Sequence, residues 1–561
     1  MSGLLLDSTP AVADTAPPAA GAPATVSSDP LPTVQVNGVV WAQIVVGNTV
    51  YATGQFSKAR PAGSAAGSNE TPRSNLLAYD ITTGVLKTGF APTLNAQGLA
   101  LAASPDGQTV YVGGDFTQIN GQNKYRLAAL DATTGALRNF TPDMDARVRA
   151  LAVNGTTLYV GGNFSTAANQ PRTRLAAFNT TNSQLLPWAP AANREVYALA
   201  VHSASNKVFV GGKFDTVNGA TNRGSAALDG GTAASMPFSA NTVAYNSGNS
   251  AGIYSLKVAG DSVYGTGWNF DGSAPIFESV FSADAATGQL RYVSGCAGDT
   301  YDSLPVAGVL YTVAHNHNCT PVGGWPEQGG LARRAFAFRL DPVPGKTNGP
   351  GAYGTFQGQP APELLHWYPD MATGSYTGQN QAAWSLAGNS TYVAVGGEFP
   401  TVNGGAQQGL VRYAVRATAP NTDAPRGYDT LTPSLSPSAT GVQATFTAAF
   451  DRDNARLTYE LLRGAQLSTA TVVATTTSDT NFWTRPQLSL TDPTPPTGSQ
   501  SYRIRAKDPL GNQLISQTVV VNTSEQNLAV GKPSTQVSVD YGGDPARAVD
   551  GKPTATTTAA R

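Results

Sequence analysis

The stretch that decides the fold is YVGGDF at residues 111–116, because it recurs along the chain. Phe116, Phe164 and Phe214 end successive copies, which gives a period of about 50 residues, close to that of kelch blades. The further copies are YVGGNF at 159–164, FVGGKF at 209–214 and VGGEF at 395–399, with degenerate forms YATGQF at 51–56 and YGTGWNF at 264–270. A chain with such an internal period is predicted to build its fold from repeated units.

Each unit places the repeated motif in the same order of strands. An alternating segment such as VRALAV at 148–153 comes first, and the glycine-rich strand follows it. A third strand such as RLAALD at 126–131 leads into DATTG at 131–135, where the aspartate can cap the turn and the glycine supplies a positive φ. A short fourth strand ends in a motif such as FTP at 140–142, and proline suits an edge strand.

Four antiparallel strands repeated around an axis form a propeller blade. Seven units are counted, so the sequence predicts an all-β chain with a seven-bladed, kelch-like β-propeller over residues 33–415. The last unit lacks a fourth strand, and TVQVNGVV at 33–40 is predicted to supply it and close the ring.

Composition excludes several classes of function. The 561 residues include 35 Lys and Arg against 36 Asp and Glu, so no basic excess exists to neutralise the phosphates of a nucleic acid. No apolar run reaches the ~20 residues that a membrane span requires. GxxxxGK[ST], HExxH and CxxC are absent from the sequence, so the usual anchors of NTPase, zinc protease and redox chemistry are missing. GxSxG occurs once, as GNSAG at 248–252, but it leads into an alternating strand and not into the strand-to-helix turn of a hydrolase nucleophile.

The regions outside the propeller differ from it in composition. Residues 1–32 are rich in Ala and Pro and nearly uncharged, which predicts a disordered leader. Residues 416–438 are rich in Pro, Thr and Ser and are interpreted as a linker. Alternating segments then predict a small β-sandwich over 439–524, and a separate segment follows over 525–561.

The sixth unit departs from the repeat and supplies the candidate site. It has HNHN at 315–318 instead of GGxF, so His315 and His317 are expected on one face of a strand, with Asp299 near in sequence. Such a pair can hold zinc or copper, take part in a polar network at the propeller mouth, or contact a ligand without metal. No third histidine is near in sequence, and we predict no cofactor. Trp325, in the following insertion, can stack on a sugar ring or pack within its loop.

Cys296 and Cys319 are the only two cysteines of the chain. They are 23 residues apart, which places them in neighbouring strands or loops of one repeat. A disulfide between them is the favoured interpretation, although two free thiols in a reduced compartment would give the same count.

Several stretches resemble known families. Residues 33–415 resemble secreted actinobacterial propeller proteins with GGxF, RLAAxD and TG repeats, and VAHNHNC at 313–319 resembles their cysteine-bearing odd blade. Residues from about 420 to 524, with LTYELLR and YRIRAKDPLGN, resemble fibronectin type III modules. NLAVGKPSTQVS at 527–538 and ARAVDGKP at 546–553 resemble the start of a discoidin-type carbohydrate-binding module, so 525–561 is predicted to be a partial one. These resemblances imply secretion and a modular adhesion protein.

Three functions remain open from the sequence. The favoured one is a non-enzymatic extracellular or cell-surface recognition protein whose propeller presents loops to a glycan or a cell-surface protein. The second is a secreted carbohydrate-active enzyme or a copper-dependent oxidase of galactose-oxidase-like architecture, whose chemistry would need a cysteine crosslinked to a tyrosine and histidine ligands. The third is a structural component of a surface layer or filament. The ligand-binding candidates are His315, His317, Asp299 and Trp325.

Overall fold

The computed structural model describes residues 21–270, 276–327, 329, 332–351, 355–438, 440–523 and 533–535. The described residues fall into two compact units. One comprises 21–423 with 452–454, and the other comprises 424–451 with 455–523 and 533–535. Among the residues in these ranges, no helix is both long and apolar enough to cross a membrane.

The first unit consists of antiparallel sheets that follow one another along the chain, and we number them as blades 1 to 7. Their strands are, in order, Val39–Val46, Thr49–Gln55 and Leu76–Asp80; Gly98–Ala103, Thr109–Gly114 and Leu127–Asp131; Val148–Asn154, Thr157–Gly162 and Leu175–Asn179; Val196–His202, Lys207–Gly212, Ser225–Asp229 and Ser235–Met236; Ala251–Ala259, Ser262–Asn269, Val280–Asp284 and Leu290–Val293; Thr300–Val306, Val309–Asn316, Arg333–Arg339 and Leu364–Leu365; and Ala383–Gly388, Tyr392–Gly397 and Leu410–Ala414.

The first strand of each blade contacts the first strands of the blades before and after it, and Val39–Val46 of blade 1 contacts Ala383–Gly388 of blade 7. These strands therefore surround an axis, and the prediction of an all-β propeller is confirmed. The other elements of this unit are short. They are the strands Gln35–Val36, Lys58–Arg60, Thr71–Pro72, Gln118–Ile119, Gln122–Asn123, Thr166–Ala167, Gln170–Pro171, Thr216–Val217, Ala220–Thr221, Thr401–Val402 and Gly405–Ala406, and the 3-10 helices Ser203–Ser205, Ser239–Thr242 and Thr320–Val322.

The turn after the third strand is built as the sequence predicts. In blade 2 the Asp131 carboxylate accepts the backbone N–H groups of Thr133 and Thr134 at 3.0 and 2.9 Å, and Gly135 has a φ of 72°. The chain then returns through a fourth strand that is reduced to one bridge, Leu130 to Leu137. The aspartate thus satisfies donors that the tight turn would otherwise leave without partners.

An aromatic pair repeats in the packing between strands and explains the motifs that end in proline. Tyr51 lies edge-on to Phe90 with ring centroids 5.0 Å apart, and Tyr159 lies edge-on to Trp188 at the same distance. Tyr111 with Phe140 and Tyr311 with Trp367 repeat the arrangement. In each pair the tyrosine of the second strand contacts the first residue of an FAP, FTP, WAP or WYP motif, which buries the end of the unit against its own blade.

The ring is closed by a segment different from the predicted one. Backbone N–H groups of Ser27 and Leu31 donate to the carbonyl oxygens of Ala414 and Arg412 at 2.9 and 2.8 Å, which adds a fourth strand to blade 7. The prediction that residues 33–40 supply this strand is wrong. Gln35–Val36 pairs instead with Lys58–Arg60, and Val39–Val46 begins blade 1.

The same pairing corrects the predicted leader. Val26 is 3% exposed, and the side chains of Ser27 and Ser28 are fully buried, so residues 21–32 are not a disordered segment over their whole length. The physical reason is that the third strand of blade 7 has an open edge, whose backbone groups this segment satisfies. The remainder of the predicted leader, residues 1–20, lies outside the described residues.

The second unit is a β-sandwich. One sheet contains Ser434–Ser438, Gly441–Thr447 and Gln487–Asp492, and the other contains Thr471–Asp479, Arg456–Arg463, Gly498–Lys507, Gln513–Ile515 and Val519–Thr523. A short helix, Tyr428–Leu431, and a 3-10 helix, Leu467–Thr469, complete it. The first strand, Ser434–Ser438, lies within residues 416–438, which were predicted to be a linker. Pro437 does not prevent this strand, because proline is tolerated at a sheet edge. Of the predicted discoidin-like segment, 525–561, only 533–535 are described.

Candidate ligand site at the mouth of the central channel

Every first strand of the propeller carries an irregularity close to its start. The pairing with the second strand shifts register between Val40/Ala42, Gly98/Ala100, Val148/Ala150, Val196/Ala198, Ile253/Ser255, Thr300/Asp302 and Ala383/Ser385. The residue passed over in each blade is, in order, Trp41, Leu99, Arg149, Tyr197, Tyr254, Tyr301 and Trp384. A bulged residue leaves the ladder, and its side chain is redirected. All seven side chains line the same two cavities on the axis, and we call this set the aromatic floor.

The floor residues contact one another across the channel. Tyr301 and Trp384 have ring centroids 4.3 Å apart, and Tyr254 lies 5.6 Å from Tyr301 and 5.8 Å from Tyr197. Trp41 lies edge-on to Trp384 at 5.0 Å. These contacts divide the axial channel into a mouth cavity on one side and an inner cavity on the other.

The mouth cavity has the size and lining of a small-molecule site. Its volume is about 360 Å³, within the usual range for ligand pockets. Beyond the floor it is lined by Gln97, Arg147, Trp268, Phe270, Asp299 and Gln379. Phe270 is 68% exposed, so its ring offers a free aromatic face at the entrance. The cavity therefore combines an aromatic base with polar groups around its edge.

A chain of hydrogen bonds fixes part of this polar edge. Trp41 Nε1 donates to Gln97 Oε1 at 2.9 Å, and Gln97 Nε2 donates to Asp115 Oδ2 at 2.8 Å. Arg147 holds the same carboxylate with Nε and Nη2, at 2.8 and 2.7 Å. Burial opposes ionisation of Asp115, but the hydrogen bonds from Arg147 and Gln97 outweigh it and hold the pKa of Asp115 below its usual value.

Arg149 is the one cation of the floor. Its guanidinium lies 4.1 Å from the ring centroid of Tyr197 and 5.5 Å from that of Tyr254. Its Nη2 donates to the Tyr254 hydroxyl at 3.3 Å. Burial raises the pKa of Tyr197 to about 12 and also raises that of Tyr254, so both rings are neutral partners of the cation.

The inner cavity is smaller and has its own charge pair. Its volume is about 150 Å³. The Asp302 carboxylate lies 3.4 Å from Lys257 Nζ and accepts hydrogen bonds from Ser255 Oγ at 2.5 Å and from the Leu386 N–H at 2.9 Å. The Asp302 carboxylate is thus already held by contacts within the protein.

Asp299, one of the predicted ligand-binding candidates, lies in the wall of the mouth cavity. It is 1% exposed, and its Oδ1 accepts the Asn269 N–H at 3.1 Å. Burial, with a contribution from the charge of Glu278, raises the pKa of Asp299 to about 7. Its Oδ2 has no hydrogen-bond partner among the described residues, and His315 Nδ1 lies 3.8 Å from it.

The two histidines lie behind this wall. His315 Nδ1 forms a 3.0 Å hydrogen bond with the hydroxyl of Tyr301, a floor residue. Burial and the nearby Arg334 lower the pKa of His315 to about 4, so it is neutral at physiological pH. His317 has its ring centroid 6.3 Å from that of His315 and pairs with the Glu327 carboxylate. Among the described residues, no group of three or more His, Cys, Asp or Glu side chains is placed to hold a metal ion.

Trp325 is not a ligand platform. It is 1% exposed and packs edge-on against Phe336, with centroids 5.2 Å apart. The alternative interpretation, packing within its loop, describes it correctly, because the insertion folds back over the sheet of blade 6. Cys296 and Cys319 form the predicted disulfide, so neither thiol is available for a crosslink to tyrosine.

The aromatic floor itself was missed by the sequence prediction. The sequence feature that would have predicted the floor is found by aligning the first strands of the blades, not in the GGxF motif. Seven segments, VWAQI, GLALA, VRALA, VYALA, IYSLK, TYDSL and AWSLA, place a variable residue directly before a small or acidic one. A variable position inside an otherwise repetitive strand marks the residue that leaves the ladder.

The comparison with protein families agrees with a propeller. The model of the family "Rax2 C-terminal beta propeller domain" matches residues 76–193, which is less than half of the chain. The solved structures that match include the RRP9 WD40 repeats (TM-score 0.42, 12% identity, 70% of this chain and 99% of that chain) and U3-55K (0.41, 11%, 70% and 100%). A computationally designed protein, Ika8, matches with a TM-score of 0.37 and 14% identity over 76% of this chain and 98% of its own. No curated protein gives a significant match.

Proposed function

We propose that this chain is a non-enzymatic extracellular recognition protein whose mouth cavity binds a glycan. The observation that carries the proposal is the aromatic floor, in which one residue from each blade lines the mouth cavity. A propeller is a scaffold suited to binding proteins or small ligands, and its chemistry resides in the residues at the axis and loops.

The lining fits the two requirements of sugar recognition. The C–H faces of a sugar ring are apolar and pack on aromatic faces, which Phe270 and the floor supply. The hydroxyl groups need directional donors and acceptors, which Gln97, Arg147 and Gln379 supply at the edge. An aromatic base with a polar edge thus distinguishes a saccharide from a purely apolar ligand.

The rest of the chain supports an extracellular site of action. The disulfide between Cys296 and Cys319 suits an oxidising compartment. The sandwich is consistent with the resemblance to fibronectin type III modules, and the sequence from 527 onward resembles a discoidin-type carbohydrate-binding module. Several weak sugar contacts on one chain would act together through effective concentration.

A second candidate, a carbohydrate-active enzyme, has one observation in its favour. Asp299 lines the mouth cavity with a pKa of about 7, which is suited to a general acid or base. The copper-oxidase version lacks such support, because both cysteines are in the disulfide.

Binding of the whole chain to a glycan array and to cell-wall polysaccharides tests the proposal. Phe270→Ala removes an exposed ring at the mouth, and we expect at least about a tenfold loss of affinity for the best saccharide, as for a central aromatic contact. Tyr125→Ala is the matched control, because Tyr125 is 43% exposed and does not line the mouth cavity.

Absence of saturable binding, or equal binding by both variants, would contradict the proposal. Release of reducing ends from the bound saccharide by the parent chain, lost in Asp299→Asn, would favour the enzyme instead.

A further inference from the structure

We infer that the glycan bound in the mouth cavity is anionic and that Arg149 binds its charged group, a carboxylate or a phosphate. This inference rests on the proposed function and specifies the class of saccharide. It depends on the position of Arg149 in the floor, the partners that it has, and the charges around it.

The first step is that the charge of Arg149 is not neutralised by a nearby acid. Its guanidinium stacks on Tyr197 and donates one hydrogen bond to the Tyr254 hydroxyl. No carboxylate of the described residues lies within the 4.0 Å that defines an ion pair with it. Glu195 interacts with this charge at longer range only. A half-buried cation without a counter-ion favours an anion from solution.

The second step concerns the geometry of the guanidinium. The guanidinium lies over the Tyr197 ring, and the one hydrogen bond that it donates among the described residues goes from Nη2 to the Tyr254 hydroxyl, so its other N–H groups are available to a ligand. The planar fork matches a carboxylate or a phosphate in two parallel hydrogen bonds. The tyrosine rings hold the plane in place, so little side-chain entropy is lost when the anion binds.

The third step is the charge around the cavity. Lys213 Nζ lies 5.7 Å from the ring centroid of Trp268, which lines the mouth, and it also forms no ion pair with the residues that the structure describes. Arg147 is neutralised by Asp115. Asp299 is the acid in the cavity wall, and burial favours its protonated form. Arg149 is therefore a cation in the cavity lining without a carboxylate partner among the described residues, and Lys213 adds a second positive charge behind the Trp268 ring. Asp299 is the acid of the lining that opposes them, and it has no ion-pair partner of its own among the Lys and Arg residues described.

The propeller does not need a cation at this position. Leu99 occupies the equivalent bulge of blade 2, next to Arg149 in the ring. A structural role in filling the channel could thus be met by an aliphatic side chain. Arg149→Leu reproduces in blade 3 the residue that blade 2 already accommodates, so it is a conservative test of charge.

The experiment compares matched pairs of saccharides by calorimetry on the full chain. One pair is oligogalacturonate and its carboxyl-reduced form, and the other is a mannose 6-phosphate oligosaccharide and its dephosphorylated form. We expect the parent to bind one anionic member at least about tenfold more tightly than its neutral partner, as for a charge-assisted bidentate contact. Which pair shows the preference identifies carboxylate or phosphate.

Two variants and a control test whether Arg149 causes the preference for the anionic saccharide. Arg149→Leu should abolish it, and Arg149→Lys should keep only part of it, because the ammonium lacks the fork. Arg138→Leu removes a half-buried guanidinium that pairs with Asp131 and does not line the mouth cavity, so it should leave the preference unchanged. Thermal unfolding of each variant checks that the propeller is intact.

The outcomes separate the inference from the proposed function. Binding of neutral and anionic members with equal affinity, or a preference that survives Arg149→Leu in a folded variant, overturns the inference and leaves glycan binding standing. Failure of the parent to bind any saccharide on the array or in either pair overturns both.

Discussion

Arg412 Nη2 donates a hydrogen bond of 2.6 Å to the carbonyl oxygen of Pro32, which lies 380 residues earlier in the chain. The same guanidinium donates to Thr33 Oγ1 at 3.2 Å and to the Ile81 carbonyl, and Arg412 is 1% exposed. One buried side chain thus connects the last blade, the entering segment and blade 1. The closure of the ring depends on a cation whose partners are two backbone carbonyls and one hydroxyl.

Replacement of this cation should weaken the closure. Arg412→Met removes three donors and leaves buried carbonyl oxygens without partners, so we expect a loss of about 3 kcal/mol in the free energy of unfolding of the propeller. Amide hydrogen exchange at Ser27 and Leu31 should become faster, because these N–H groups bond to blade 7. Arg138→Met, which breaks the half-buried ion pair with Asp131, should cost less, about 1 kcal/mol. Unchanged exchange at both amides would contradict this role for Arg412.

Asp299 should make stability depend on pH. Its folded pKa of about 7 lies above the usual value, so the folded state keeps a proton that the unfolded chain loses. The stability that this carboxyl contributes is present in acid and is lost as pH rises toward 7. The side chain in Asp299→Asn is uncharged at every pH. The free energy of unfolding of this variant, relative to that of the parent, should therefore rise between pH 5 and pH 8 by up to a few kcal/mol, and its melting temperature should rise with it. The test is a calorimetric series across that range.

The pH series needs a control for the loss of one carboxylate. Asp429→Asn removes an exposed carboxylate of the second unit and is measured over the same pH range as the control for the loss of one charge. His315 has the opposite shift but is present in both the parent and Asp299→Asn, so it largely cancels in the comparison. Parallel curves for Asp299→Asn and the parent would show that burial does not hold the proton on Asp299.

The disulfide should be complete and stabilising. It closes a loop with a sequence separation of 23 residues, for which loop entropy predicts a contribution of about 3 kcal/mol. Thiol titration of the unfolded chain should find no free thiol without reductant and two after reduction. The double variant Cys296→Ser, Cys319→Ser should unfold at lower denaturant concentration than the parent. Two thiols without reductant would contradict the bond.

Asp115 should limit the attraction of the mouth for anions. Asp115→Asn releases Arg147 from its bidentate partner, and, if the bound glycan is anionic, its affinity should rise about threefold at low ionic strength and less at high ionic strength. Binding of the neutral member of the pair should not change, which makes it the internal control. An equal gain for both members would show that packing changed rather than charge.

The propeller could be predicted because the residues that recur with its period are those that each blade needs in order to fold. The glycines, the turn aspartates and the aromatic residues before proline recur in blade after blade, and each has a local physical role. The segment that closes the ring could not be predicted from such a repeat. The segment at 27–31 has no repeat motif, and its partner, Leu410–Ala414, is almost 400 residues away, so only the open edge of blade 7 shows that a strand is needed there.

The residues of the candidate site also differ in how far the sequence could indicate them. Asp299 and His315 were found because blade 6 breaks the motif, and the structure places both beside the mouth cavity. For Trp325 the sequence left both stacking on a sugar and packing within the loop open, since the exposure of a loop aromatic depends on how the loop folds, and the structure buries its ring. The floor was missed because a bulge is a property of strand pairing, and its residues differ from blade to blade.

The bulges also make the floor unusually open to redesign. Each floor residue stands outside the ladder pairing of its strand, so exchanging it changes the cavity without removing a register contact. The blades already hold tryptophan, leucine, arginine and tyrosine at this position. A combinatorial library at the half-buried positions, Trp41, Leu99, Arg149, Tyr197 and Tyr254, would therefore vary selectivity one blade at a time on a constant framework.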